Sequence, residues 1–565
     1  MKMRTIHIKR GLLALLFFLS IVLTLTVLPR ILNPTPPDAK ERKRDSKWVN
    51  SSPYFFDRQA CRWLGLCGIQ HIKWDAPARS GNKHGELKMM KGELIKLVMG
   101  WTEEDGQEKT TVDGWEEAPN EEARVQMGDL KRRGGAKIMD EVPDYVLQHA
   151  PLVHLYSGEH FWPSDIGEHV KHMMVPEEAV VLLNGSDSLN LGNLADLNGA
   201  DKAVFLTSDV DVESRPKWLH SRDGIPVPYP EDENPIEDDE ERWGKDEDKE
   251  EDVEDGTTWW DVDPEHPPHR ISDPRKTKNL GNSKKVWGTR PMVRRTQREK
   301  RTLREGVAQQ PLSAPAPEDD KNKPDEASGY SNGPAILVLV DKGAGIVDAF
   351  WFFFYSYNLG QTVLGIRFGN HVGDWEHCMI RFEHGIPRAM FLSEHAGGKA
   401  YAWGAMEKAI REGKNGEKIE RPVIYSAVGS HAMYASPGLH PYVLPFKLLK
   451  DVTDKGPLWD PSLNNLAFWY SPAPESTLMA PAGEISPASS NADAPTSWFH
   501  FEGFWGDDVY PLSDRRQWRL FGEYHYITGP AGPKYKFLER RKMCQTERCR
   551  ILNSIREGDQ ISWYS

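Results

Sequence analysis

Cysteine is scarce in this 565-residue chain, at five residues, and none forms a Cys-x-x-Cys pair, which excludes the paired-ligand zinc folds. A Walker loop and a dinucleotide fingerprint are also missing, which removes the commonest nucleotide and nicotinamide readings. Positive charge is short too. Lys and Arg number 71 against 84 Asp and Glu, a net charge of -13, so the basic footprint of a nucleic-acid binder is lacking. Apolar residues make up only 39% and mean hydropathy is -0.61, which predicts that part of the chain is not packed. Aromatics are not short. The 20 Trp, 17 Tyr and 20 Phe supply a core, because each buried ring removes a large apolar area from water.

One long uncharged apolar run is present, Gly11 to Leu28, preceded by Lys2, Arg4, Lys9 and Arg10. Its length suits a single helical membrane span, and Leu28-Pro29-Arg30 is a poor signal-cleavage site. The basic N-terminal flank predicts a cytosolic tail of residues 1–10, a signal anchor over 11–28, and the bulk of the chain in the secretory lumen. Two sequons, at Asn50 and Asn184, agree with a lumenal glycoprotein. So do two close cysteine pairs, Cys61 with Cys67 and Cys544 with Cys549, which read as two short disulfide loops in an oxidising compartment or as four unpaired thiols.

Residues 29–50 read as a Pro- and charge-rich stalk, and 51–140 as a small cap followed by a charged insertion, with one amphipathic helix expected over 86–99. Residues 228–332 carry an acidic block and then a basic one with few aliphatics, a composition that predicts a disordered insertion. It splits a domain of short apolar and aromatic runs, 141–227 and 333–550, ahead of a tail over 551–565. Strands are expected over 335–340, 349–357, 377–382, 389–393, 422–427 and 499–504, among others. Such spacing predicts a mainly β chain with some α, a β-sandwich with helical and disordered insertions.

The densest chemistry lies in Asn370 to His377, NHVGDWEH. Asp374 and Glu376 are two apart and share one face of a strand, and His371 joins them only if Gly373 allows a turn or bulge. Together they suit a divalent cation, against the alternative of a polar turn with Trp375 packed and the carboxylates solvated. Ser393-Glu394-His395 and Ser430-His431 bring small-residue turns to one rim of a sheet. Ser430 and His431 are adjacent, so they do not by themselves make a nucleophile–base pair. His395, His431 and His440 read as satisfied histidines at loop bases.

Several ordered motifs resemble the vacuolar protein sorting-associated protein 62 family. They are Asp144-Tyr145-Val146-Leu147, Ala150 to Ser157, Glu159-x-Phe161-Trp162-Pro163-Ser164-Asp165, Gly373 to Glu376, Ser393-Glu394-His395, Val428 to Ala432, and Gly503-x-Trp505-Gly506-Asp507. The likeness covers most of 140–225 and 334–550. It implies delivery of proteins to the vacuole and no catalytic residues. His371-x-x-Asp374-Trp375-Glu376 is also similar to the core of necrosis-inducing toxin-like proteins, β-sandwiches that hold a divalent cation and bind sphingolipid head groups. That second resemblance implies His371, Asp374 and Glu376 as ligands of one Mg²⁺ or Ca²⁺, with Asn358 where the toxins use an Asp.

The expectation is therefore a single-pass membrane protein of the secretory and vacuolar pathway, with no catalytic residue assigned, meeting protein cargo or lipid head groups and no nucleic acid. The alternatives are a cation-dependent lipid- or glycan-binding module and a cation-dependent hydrolase.

Overall fold

The computed structural model describes residues 17–18, 39–73, 141–183, 188–227, 329–363, 365–412, 418–443, 449–473, 476, 481–545 and 549–560. Outside them lie the expected membrane run over 11–28 except Phe17 and Phe18, the helix over 86–99, the insertion from 228 to 328, and Asn184. Among the described residues no helix is long and apolar enough to cross a membrane.

The chain is mainly β, with short helices. In order come helices α1 (Ala39–Ser51) and α2 (Phe55–Leu64), strand β1 (Leu152–His154) and helix α3 (Ile166–Lys171). After the charged segment follow β2 (Ala335–Gly343), β3 (Ile346–Asn358), β4 (His371–Glu383), β5 (Ile386–Glu394), β6 (Gly397–Ala402), β7 (Lys408–Glu412) and β8 (Lys418–Ser426). Then come β9 (Met433–Tyr434), β10 (Gly438–Val443), β11 (Leu449–Thr453), β12 (Leu458–Trp459), β13 (Asn465–Pro472), β14 (Gly483–Pro487), α4 (Ser497–His500) and β15 (Ile551–Leu552).

An eight-stranded sheet runs β14-β13-β2-β3-β4-β5-β6-β15, and a five-stranded sheet runs β7-β8-β1-β12 with β9 paired to β8. The aromatic run of β3 explains why the larger sheet is buried on both faces. Phe350, Phe352 and Phe354 belong to one core cluster, with Phe161, Val170, Trp498 and Trp505. The alternate residues Trp351, Phe353 and Tyr355 belong to a second, with Val153, Ile424 and Trp459 from the smaller sheet. A strand apolar at every position is stable only when both faces are covered. The two blocks flanking the charged segment also close into one sheet, because β1 pairs parallel with β8 in the register Val153↔Ile424.

Three local features differ from the sequence reading. Residues 499–504 do not form a strand: Trp498 and Phe499 lie buried in helix α4, and Phe504 makes only isolated bridges, to Phe205 and to Ala531. A short apolar run does not distinguish strand from buried helix by periodicity. Part of the expected stalk is helical, since α1 begins downstream of Pro34, Pro36 and Pro37. Part of the expected tail is sheet, as Ile551 and Leu552 pair with Ala400 and Tyr401 on β6 and so form the edge of the larger sheet.

Candidate functional site: a buried histidine–carboxylate network

Strands β3 and β4 run antiparallel in the register Phe353↔Glu376, Tyr355↔Asp374 and Asn358↔His371. The pairing places Asp374 and Glu376 on the face that meets the smaller sheet. At Ser356 and Gly373 the face changes, for Tyr357 and Val372 join the same cluster as Phe354 and Trp375. Gly373 makes the change possible. Its φ is +67°, and a Cβ there would stand 2.2 Å from the Trp505 carbonyl oxygen, so only glycine fits without displacing backbone. Beyond this irregularity His371 lies within the field of Asp374.

The turn after β8 supplies the partner. Gly429 and His431 both have positive φ, +70° and +53°, a conformation that disfavours a bulky side chain. His431 Nδ1 lies 2.9 Å from Asp374 Oδ2, and Nε2 lies 3.1 Å from the Phe161 carbonyl oxygen and 3.8 Å from Glu159 Oε1. Tyr355 stacks flat on the imidazole, with centroids 3.7 Å apart. Glu159 is itself held by the backbone N–H groups of His160, Phe161 and Gly429. Burial works against a charged imidazole, yet the Glu159 and Asp374 carboxylates carry His431 up to about 9. His431 in turn holds Glu159 below the usual carboxylate range, against burial.

A second centre sits beside the first. His395, also at positive φ in the β5–β6 turn, places Nε2 2.7 Å from Asp451 Oδ2 on β11. Asp451 also accepts from Ser430 Oγ at 2.7 Å and from the Tyr434 hydroxyl at 2.7 Å. Burial opposes the charge on His395, but Asp451, Glu376 and Glu394 raise it to about 9. Between the centres, burial and then the Asp374 charge push Glu376 up to about 8, and Ser393 Oγ makes a short hydrogen bond to it. Glu394 is raised by burial to about 7, opposed by Lys399 at 3.2 Å.

The structure thus brings Asp374 and Glu376 onto one buried face, and neither is solvated. Trp375 is packed as the alternative reading had it. Each expected cation ligand has a protein partner: His371 Nδ1 lies 2.6 Å from the Gly373 carbonyl oxygen, and Asn358 Nδ2 donates to the Gly369 carbonyl at 2.7 Å. Asp374 is taken by His431 and Glu376 by Ser393. Among the described residues no group of three or more His, Cys, Asp and Glu side chains is arranged to hold a metal ion. As arranged, each of these donors is engaged by a protein group in one hydrogen-bonded network. The network also shows no nucleophile pair, because Ser393 faces a carboxyl and Ser430 a carboxylate, and neither hydroxyl meets an imidazole.

Glu159 and Asp451 complete the two centres and are absent from the sequence-based ligand set. Glu159 was visible only as part of a family motif. Asp451 carried no local signal, since its partners lie 17 to 56 residues away. Elsewhere, Cys61 is bonded to Cys67 and Cys544 to Cys549, with Cys378 free and buried. Asn50 is exposed and accepts from Arg62 at 3.1 Å. His440 stacks on Tyr434 and bonds Thr453.

The sequence model of the vacuolar protein sorting-associated protein 62 family matches residues 339–443, a span that holds Asp374, Glu376, His395 and His431. The chain is 32% identical to TDA6 of Saccharomyces cerevisiae over 430 residues, covering 72% of this chain and 68% of that protein. It is 30% identical to vacuolar protein sorting-associated protein 62 of the same yeast over 437 residues, covering 74% and 69%. No solved structure matches the chain.

Proposed function

The chain belongs to the vacuolar protein sorting-associated protein 62 family, and from that membership we propose that it acts in the delivery of proteins to the vacuole. In this reading the apolar run over 11–28 anchors it as a single-pass protein of the secretory and vacuolar pathway, with the bulk of the chain lumenal. The β-rich domain works as a β-sandwich binding module for protein cargo or lipid head groups and does no chemistry on them. One observation supports the non-enzymatic reading: the acid–base groups gathered at the site are committed to one another, Asp374 to His431, Asp451 to His395 and Glu376 to Ser393. A hydrolase would need a nucleophile or activated water facing a base, whereas a buried, internally paired network fixes the relative position of the strands and turns that carry it.

The test uses the full chain in a yeast strain lacking both relatives. Expression is expected to return a vacuolar hydrolase from the medium to the vacuole. An Asp374→Asn/His431→Gln variant that still folds is expected to retain part of that effect, because the pair positions the domain and performs no chemistry. A sorting defect that the chain leaves untouched would overturn the proposal.

A further inference from the structure

The exposed large apolar side chains of the folded part are mostly isolated aliphatics, such as Ile386, Ile410 and Leu463. Scattered residues of this kind are ordinary on a protein surface. Residues 54–63 are different. Beyond residue 18, the exposed large aromatics among the described residues are Tyr54, Phe55, Phe56 and Trp63, all within this one segment. Phe56 is 85% exposed and Trp63 67%. The two are seven apart in α2 and therefore share a helix face, and Trp63 Nε1 donates to Gln59 Oε1 on that face at 3.1 Å.

These rings do not stand on a loose arm. Asp57 accepts from the Gly68 N–H at 3.0 Å, and Gly65 closes α2 in the left-handed region at φ 71°. The Cys61–Cys67 disulfide returns the chain to the domain, where Cys67 and Arg519 exchange backbone hydrogen bonds of 2.8 and 2.9 Å. Helix α1 is seated through Trp48, buried with Leu512, and through Arg44 and Asp45, which both bond the Tyr524 hydroxyl. The aromatic face is thus held rigidly outward.

Its neighbours in sequence indicate what it meets. The uncharged run ends at Leu28, and residues 29–38 separate it from α1, a reach of at most about 35 Å. Helix α1 exposes Arg42, Lys43 and Lys47, and α2 exposes Arg62, while the acidic Asp45 and Asp57 are buried and bonded inward. Aromatic rings with a polar edge favour the head-group zone of a bilayer, and basic side chains beside them favour anionic lipid.

We infer that α1 and α2 form a rigid foot whose Tyr54, Phe55, Phe56 and Trp63 insert into the anionic bilayer surface at which the chain is anchored. The foot fixes the orientation of the β domain above the membrane. This inference rests on the anchored reading of residues 11–28, and the experiment separates the two.

Phe56→Cys, and Ile386→Cys as comparator, are made in the full chain. Both are labelled with bimane, which is selective because Cys378 is buried and the other cysteines are disulfide-bonded. Each protein is reconstituted in phosphatidylcholine–phosphatidylserine liposomes with and without doxyl-labelled lipid. The label at 56 is expected to be quenched about threefold or more relative to that at 386, as a ring at head-group depth requires. Equal quenching at both positions overturns the foot, and so does a label at 56 shielded by a co-purifying protein and not by lipid. Alkaline carbonate extraction of the same liposomes reads the anchor: release of the chain overturns the anchor, while the foot is still decided by the label alone.

Discussion

His431 Nδ1 lies 2.9 Å from Asp374 Oδ2 at the junction of the two sheets, with both side chains buried. One residue comes from the turn after β8 and the other from β4, so this contact joins the smaller sheet to the larger one. Glu159 closes the other side of the ring.

Removing the imidazole leaves two buried carboxylates without their cation. His431→Ala is expected to destabilise the domain by about 3–5 kcal/mol, the usual cost of breaking a buried ion pair from one side. Asp374→Asn/His431→Gln should cost clearly less than the sum of the two single changes. Denaturant midpoints of the four proteins check this, and additive losses would show that the two residues are not coupled.

Stability should pass through a maximum near pH 6.5. His395 and His431 are raised from 6.5 to about 9, so their contribution is complete below 6.5 and lost as pH rises through 9. Glu376, raised from 4.5 to about 8, also loses ground with rising pH. On the acid side, burial holds His169 and His220 near 3, so the unfolded chain takes up protons first and stability falls below 6.5. Unfolding midpoints from pH 5 to 9 in the wild type and in His431→Gln test this. The variant should flatten the alkaline limb and leave the acid limb, and an unchanged alkaline limb would refute the assignment.

Gly373→Ala is expected to fold poorly, since a Cβ would meet the Trp505 carbonyl oxygen at 2.2 Å and a left-handed backbone alone costs about 1–2 kcal/mol. Gly404→Ala, where nothing lies within 4 Å of the added carbon, is the neutral control. Secretion yield and melting temperature of both variants, measured together, decide the matter.

The donors for a cation are engaged with protein partners, so elemental analysis of the full chain should find no stoichiometric Mg²⁺ or Ca²⁺, and chelation should leave the melting temperature in place. A stoichiometric cation lost in both His371→Ala and Asp374→Asn would instead show that these donors leave Gly373 and His431 to bind it.

Thiol titration of the denatured, unreduced chain should find one reactive thiol, Cys378, among the five cysteines. Three or five would mean that one or both short disulfide loops are open.

Much of the fold was legible in local sequence. The Ala349–Tyr357 run announced a strand, and the spacing of Asp374 and Glu376 placed both carboxylates on one face, because side-chain direction in a strand depends only on the residue's position. The condition attached to Gly373 was legible as well, since glycine alone takes that backbone without strain. Helix α4 was not, because Trp498 and Phe499 are buried by contacts with distant segments and carry no helical period of their own.

The sequence by itself determined the short β elements, the cysteine pairs available for bonding, the uncharged run and its basic flanks, and the family. These depend on composition and near-neighbour spacing. Tertiary structure alone decided that His431 would meet Asp374 and Glu159, that Asp451 would meet His395, and that the carboxylates would be buried. Those contacts join residues 56 to 272 positions apart, and burial is set by what packs over a side chain. Neither is written in the local pattern, because closing one sheet from two separated blocks is a property of the whole chain.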